Sequence, residues 1–401
     1  MVGAGAAGLM AAIFAARGGA SVSLLERTRD GGRKILISGG GRCNILPSTL
    51  DERRFVTDSS PNTLRKILKS WSLDLQVRFF ETELGQPLVE EPESRKLFPA
   101  SNRARDVRDG LVRIAEGSGA RFLPDCRVTG LDPIDGGWRV SVAGRDPLGA
   151  DGVIVATGGL SVPNTGSDGA GLELLRRLGH TINPTYPALT PIVAEPIPFP
   201  GLAGVSLPVT SLAAASGRER ASSSGGFLLT HRGYSGPAVL DVSHVVTRSP
   251  PEGEGRARLV VRWHDLDDDG WTAALEPRGR KTIGGVLRER LPDRLALAIL
   301  ERAGVDPAVS LAQLGRAERR AAIEALVRGE LPWTGHEGYK KAEVTGGGVS
   351  LAEIDPVTME SRRLPGLFLA GEVLDAFGPI GGYNFLWAWV TGRAAGRAAA
   401  G

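Results

Sequence analysis

MVGAGAAGLMAAIFAARGGASVSLLER, residues 1–27, is the stretch whose reading decides the fold. Gly3, Gly5 and Gly8 form a G-x-G-x-x-G turn ahead of a run of small and apolar residues, Ala6 to Arg17, that reads as a helix stopped by Gly18-Gly19. Ala20 to Leu25 then reads as a buried strand ending at Glu26. The first glycine permits a tight turn, the second lets backbone approach a pyrophosphate, and the third allows close helix–strand packing. The pyrophosphate would rest on the helix N-terminus, where unpaired N–H groups point outward. Glu26 stands where an acid accepts hydrogen bonds from an adenosine ribose, and an acid there favours a free 2′-hydroxyl over a 2′-phosphate. A glycine-rich helix start explains the triplet alone nearly as well. With helix, strand and Glu26 in register, Gly3, Gly5, Ala6, Ala7, Gly8, Glu26 and the adjoining Arg27 read as one half of a dinucleotide site.

Working outward, Arg33 to Asn44 (RKILISGGGRCN) sets three glycines among donors. That makes a poor regular element and a good close approach to a flat or phosphorylated ligand, with Lys34, Gly40, Gly41, Arg42, Cys43 and Asn44 as contacts. Cys43 lacks a second cysteine at C-x-x-C spacing or an evident histidine partner, so it reads as a packed cysteine rather than a nucleophile. Ile154 to Gly159 is an apolar strand ending in small residues, with Thr157 and Gly158 at its tip. Gly366 to Glu372 repeats the pattern of strand, glycine, acid: Gly371 and Glu372 could meet a polyol chain. Gly381-Gly382-Tyr383-Asn384 opens a last helix, whose N-terminus suits an edge where negative charge develops. Any one of these could be ordinary strand-to-helix packing. Four in this order, at opposite ends of the chain, point to a dinucleotide spanning both.

The remaining signals bound the class. At 401 residues, two or three domains are expected. Hydrophobic content of 42% and charged content of 23% are those of a globular chain. No apolar run reaches the roughly 18 residues of a membrane span, and no basic leader with a cleavage site precedes the motif. Two cysteines, Cys43 and Cys126, make neither a disulfide framework nor a four-cysteine metal site, so a cytoplasmic address without a metal is expected. Net charge is only +3 with both signs interleaved, which argues against a nucleic-acid or membrane partner. The oligomeric state is left open.

Helices are expected over Asn62–Trp71 and Asn102–Ala115, with a hairpin or irregular excursion between them. Strands follow at Arg121–Thr129, Trp138–Val142 and Gly152–Ala156. The texture changes after Asn164. The fold expected is α/β: an FAD/NAD(P)-binding Rossmann-like domain built from both chain ends, with inserted β-barrel-like and helical domains. Its parts are 1–183 (first part), 184–270 (all-β insert), 271–338 (helical insert), 339–358 (return strand of the β insert) and 359–401 (second part).

GRKILISGGGRCN (32–44), FLLTHRGYSGPAVLDVS (227–243), VTGGGV (344–349), TMES, GLFLAGEVLD and GGYNFLWAW resemble the bacterial NAD(P)/FAD-dependent oxidoreductase family of BaiN/YhiN-type flavoproteins, which includes bile-acid reductase and aminoacetone oxidase members. The resemblance covers essentially the whole chain. It implies non-covalent FAD, with Gly3, Gly5, Gly8 and Glu26 at the ADP half and the backbone of Val128 against adenine. It places Lys34, Gly40, Gly41, Arg42, Cys43 and Asn44 near the cofactor, and Gly371, Glu372, Gly382, Tyr383 and Asn384 along the ribityl chain and ring. Two departures stand out. Only Met1 and Val2 precede Gly3, too little for a buried strand of about 5 residues, so a start further upstream is expected. Ile45-Leu46-Pro47 follow Asn44 where the family carries a polar pair.

Three functions fit. The first passes hydride from NAD(P)H through FAD to a small organic acceptor; the second is an oxygen-using amine or alcohol oxidase; the third is a flavin-binding tRNA-modifying or regulatory protein. No second G-x-G-x-x-G follows a strand, so any nicotinamide would bind transiently. No side chain stands out as catalytic. His231 reads as a turn residue rather than a proton donor, and Tyr383 as a ring beside the flavin rather than an acid.

Overall fold

The computed structural model describes residues 1–401 and divides into two compact units, 1–187 with 343–401, and 188–342. In the first unit the strands expected from the opening motif form a parallel layer. Ser23–Leu25 pairs with Arg121–Leu123, and Leu367–Leu369 pairs with Val153–Val155. Val2 joins the two pairs: its N–H donates to Ile154, its carbonyl accepts from Ala156, and it bridges Leu25 and Val155 in parallel sense. Two residues thus make the pairings of a central strand between the two ends of the chain. Every residue of the 153–155 and 367–369 strands is buried, as a sheet covered on both faces requires.

The first helix, Ala6–Arg17, begins and ends where its glycines predict. The last, Tyr383–Ala398, packs directly upon it. A Cβ at Gly392 or Gly396 would collide with the carbonyl oxygens of Ala7 and Ala11, so two glycines four apart set how closely these helices approach. Around this core lie the helices Pro61–Lys69 and Ala104–Gly117 and a meander of Val128–Ile134, Gly137–Val142 and Leu148–Ala150. The Asp135-Gly136 turn that starts the meander has Gly136 at φ +75°, the geometry such a dipeptide favours. The excursion between the two helices is a hairpin, Leu88–Glu91 against Lys96–Pro99, and Leu46–Pro47 extends it.

The second unit is built on a seven-stranded antiparallel sheet, running in order Gly329–Glu330, Arg258–Arg262, Ser206–Ser216, Glu219–Leu229, Gly233–Ser235, Ile192–Val193, Gly335–His336. Laid flat, seven strands span about 29 Å. Yet the outermost strands are joined by only residues 331–334, a link reaching about 17 Å when fully extended. The sheet must therefore curl, and Leu331 N–H to Leu259 and Thr334 N–H to Val193 tie its two edges. This is the barrel-like body expected from the short, broken strands. One element departs from the all-β reading: Pro237–Arg248 is a helix, with Ala238, Val239, Val242, Val245 and Val246 buried. Its β-branched residues favour strand, but Pro237 at the first helical position and the three- and four-residue spacing of the valines decide for helix. Four more helices, Asp268–Ala274, Ile283–Arg288, Asp293–Arg302 and Arg316–Val327, share one apolar cluster with the sheet. Val344–Val349, expected to return to the β insert, instead pairs with Ile182–Ala188 in a separate two-stranded ladder.

Candidate functional site

A cleft of about 520 Å³ runs through the first unit, a size usual for cofactor sites. Its wall starts at the opening turn. Gly3 has φ +98°, and a Cβ there would stand 2.6 Å from the Ala156 carbonyl oxygen. Gly8 is wedged against the Gly3 carbonyl and does not reach the cleft, which is the packing role of a third glycine. Gly5, Ala6 and Ala7 do reach it, and nothing lies within 4 Å of a Cβ placed on Gly5. Glu26 is 7% exposed: Oε2 accepts from Ala4 N–H at 2.8 Å, and Oε1 from Thr28 N–H and Oγ1 at 2.8 and 2.7 Å. Those donors aim the carboxylate. Arg27, Cys126, Arg127 and Val128 complete this end, and an ion pair ties Arg27 to Asp168 in the loop opposite.

The glycine loop builds the far end. Gly39, Gly40 and Gly41 have φ of +56°, +68° and +87°, a succession that residues with a Cβ resist. Gly40 faces the cleft with open space around it, whereas Gly41 does not line it. Arg42 lies over the Phe98 ring, 4.1 Å from its centroid, and pairs with Glu91 at 2.9 Å. Cys43 is fully buried away from the lining, and burial pushes its thiol up to about 12. That excludes a thiolate at neutral pH and corrects its place among cofactor contacts; its role is packing. Asn44 does line the cleft, and its Oδ1 is buried with no partner. Thr157 Oγ1 is likewise buried and unpartnered beside Gly158, both in the lining. A buried acceptor left unmatched costs about 1–3 kcal/mol, so two of them in one cleft mark where a polar ligand would bond.

Between the ends sits a charged knot. Glu372 accepts from Lys34 Nζ at 2.5 Å, Ser161 Oγ at 2.7 Å and Thr345 N–H at 3.0 Å. Burial pushes the Glu372 carboxyl up, but Lys34 and the hydroxyl donors outweigh it and hold it below the usual range. Gly371, at φ +77°, and Gly382, at +90°, turn the chain at the cleft wall. Tyr383 does not enter the lining: its ring packs on Phe55 and its hydroxyl donates to the Thr49 carbonyl at 3.1 Å. That corrects the ring-side role expected of it, because its side chain leaves the helix on the core side. Asn384 spends its amide on both backbone groups of Gly378 at 2.9 Å and so holds the loop before the last helix.

Sequence reasoning missed Ser161 and Thr345, which flank Glu372, and Lys96 and Phe98 of the hairpin. Ser161 follows the Gly158-Gly159 tip by two residues, a signal available in the sequence; nothing local marks Lys96 and Phe98 as cleft residues. It also missed Asp375, 1% exposed, which accepts from Thr57, Ser59 and Asn183 and fixes the wall at Ala376 and Phe377. His231 is exposed in a turn of the second unit, and His264 pairs with Asp265.

A parallel layer with a G-x-G-x-x-G turn, an acid ending the adjacent strand and one continuous cleft define a Rossmann-type dinucleotide-binding protein. Residues 1–398 match the HI0933-like protein Rossmann domain, and the chain belongs to that family, the one its motifs resemble. It is 33% identical over 407 residues to a 3-dehydro-bile acid delta(4,6)-reductase of Clostridium scindens, covering 100% of this chain and 98% of that one. It is 33% identical over 405 residues to a ribosomal RNA dihydrouridine synthase of Escherichia coli, covering 97% and 94%. A ribosomal RNA dihydrouridine synthase of Haemophilus influenzae is 30% identical over 402 residues, covering 97% and 95%. No helix is long and apolar enough to cross a membrane.

Proposed function

We propose that the chain is a flavoenzyme that holds FAD non-covalently in this cleft and passes hydride from a nicotinamide nucleotide to a C=C bond conjugated with a carbonyl. The observation that carries the reading is one cleft containing, in sequence, an acid for a ribose, an open helix N-terminus, a polar knot and a second open helix N-terminus, with two unpartnered buried acceptors inside. That order matches adenosine, pyrophosphate, polyol and ring. Glu26 would hold the ribose, and the N–H groups of Ala6 and Ala7 the pyrophosphate. Lys34 and Glu372 would flank the polyol as a pair of cancelling charges, while Asn44 and Thr157 gain the partners they lack. When bound, FAD supplies a carrier for two electrons, and the protein supplies position and electrostatics. Gly39 and Gly40, which line the cleft, would admit the flat ring without side-chain collision. The last helix, whose N-cap Gly382 lines the cleft, would offer its positive end to the pyrimidine edge, where charge develops.

The relatives' names favour the acceptor class. A delta(4,6)-reductase of a 3-dehydro compound and a dihydrouridine synthase both saturate a C=C bond in conjugation with a carbonyl. They also favour a second reading of the substrate, uridine within RNA. The even surface charge argues weakly against it, because chemistry on a base needs only one nucleotide drawn into a pocket. The FAD-loaded protein, given NADH or NADPH under argon, is offered a 3-oxo-Δ4 steroid acid or an unmodified ribosomal RNA fragment, and each product is read by mass. Gain of two hydrogens by either assigns the acceptor; gain by neither refutes the class.

A further inference from the structure

Among the cations that line the cleft, Arg27 is neutralised by Asp168, Arg33 by Asp30, Lys34 by Glu372 and Arg42 by Glu91. Arg127 and Lys96 have no such partner. Arg127 stands beside Val128 at the adenosine end, and Lys96 stands at the opposite end. The hairpin places it there: Lys96 opens the strand Lys96–Pro99, and its Cγ and Cε each lie 3.8 Å from where a Cβ on Gly381 would be. Its stem therefore runs alongside Gly381, within van der Waals reach. The next residue, Gly382, is the N-cap of the 16-residue last helix, which has no side-chain cap and no acidic residue in its first turn.

Lys96 makes no hydrogen bond or ion pair. Its cross-strand neighbour Glu91 feels its charge, yet the Glu91 oxygens are taken by Arg42 and Ser94. A half-buried lysine and the positive end of a long helix thus converge on one end of the cleft, with no carboxylate bonded to either. Such a locus is satisfied only when negative charge arrives, and more strongly in a site from which a bound ring excludes water.

Resting on the FAD reading, we infer that Lys96 is a positioning cation for the charge that the cofactor gains on reduction, and so sets how readily it is reduced. Uptake of a hydride brings two electrons and one proton from the nicotinamide, leaving one negative charge at the pyrimidine end of the ring. Lys96 meets that charge without donating its own proton. It acts alongside the helix terminus, whose partial charge of about half an electron is smaller than that of the full cation.

The test is the midpoint potential of the FAD-loaded full chain, measured by anaerobic dye equilibration without substrate. Lys96→Met is expected to make reduction at least about tenfold less favourable, a fall of about 30 mV for a two-electron couple. Lys96→Arg should stay near the parent, and binding of oxidised FAD should change little in either. A parental potential in a Lys96→Met protein that still holds FAD would overturn the inference while leaving the FAD reading intact. Loss of flavin from both Lys96→Met and Lys96→Gln would overturn it too, since Lys96 would then be a binding residue. A parent protein that takes up no flavin at all would locate the failure in the FAD reading.

Discussion

Glu26 is one residue at which sequence and structure meet. Its carboxylate is fixed by Ala4 and Thr28 and still faces the cleft. Glu26→Gln should weaken FAD binding by about 1–3 kcal/mol, the cost of losing charged hydrogen bonds; titration of apo-protein reads it, and unchanged affinity would remove the ribose assignment. His244 makes a prediction of another kind. It is 6% exposed in the helix Pro237–Arg248, its Nδ1 lies 3.1 Å from the Asp241 carbonyl, and burial lowers its pKa to about 4 from 6.5. The folded state therefore favours neutral His244, while the unfolded chain takes up a proton as pH falls below 6.5. Its contribution is complete above pH 6.5 and is lost progressively toward pH 4, amounting to about 3 kcal/mol. Denaturant titrations across that window should show a shallower fall for His244→Gln than for the parent; parallel curves would contradict it. Glu26, Asn44 and Glu372 all line the cleft, and their place there was legible because type and spacing carry the meaning. Cys43 packs as read, but it and Tyr383 were placed among the cleft contacts for want of side-chain direction, which spacing in a motif does not give.

The contact between the first and last helices is what brings the two ends of the chain to one cleft. A Cβ on Gly392 meets the Ala7 carbonyl, and Ala7 itself lines the cleft. Gly392→Ala should therefore destabilise by about 1–3 kcal/mol through overpacking and also weaken FAD retention. Gly117→Ala, in a helix with nothing within 4 Å of the new methyl, should be neutral or stabilising by roughly 0.5–1 kcal/mol. Thermal unfolding of both variants checks the pair, and equal effects would show that the close approach is not limiting. The helices themselves were legible from glycine stops and apolar spacing. Their packing partner was not, because nothing in a glycine says which backbone it will touch. The same holds for the hairpin that carries Lys96 and Phe98: its two strands have four residues each, and only their pairing brings Lys96 and Phe98 to the cleft. The valine-rich helix 237–248 shows the converse, with β-branched side chains overruled by spacing and a proline at the start.

At the scale of the molecule, a Rossmann-type domain assembled from both ends of a 401-residue chain was visible because four glycine-rich elements recur in order. The curl of the seven-stranded sheet was visible only as broken strands, since closure depends on which edges a four-residue link must join. If the cleft holds FAD along its length, added FAD should raise amide-exchange protection in residues 1–8, 26–44 and 371–386 and leave the strands 206–229 unchanged. Protection confined to one of the three segments would contradict a cofactor that spans them. The most direct test of the central claim is the flow of electrons through that cofactor. Under argon, NADH or NADPH should bleach the FAD-loaded protein, and a conjugated enone should then restore the oxidised spectrum without oxygen. Failure of both nicotinamides, with bleaching by an amine and recovery only on admitting oxygen, would contradict the account and leave an oxidase in its place.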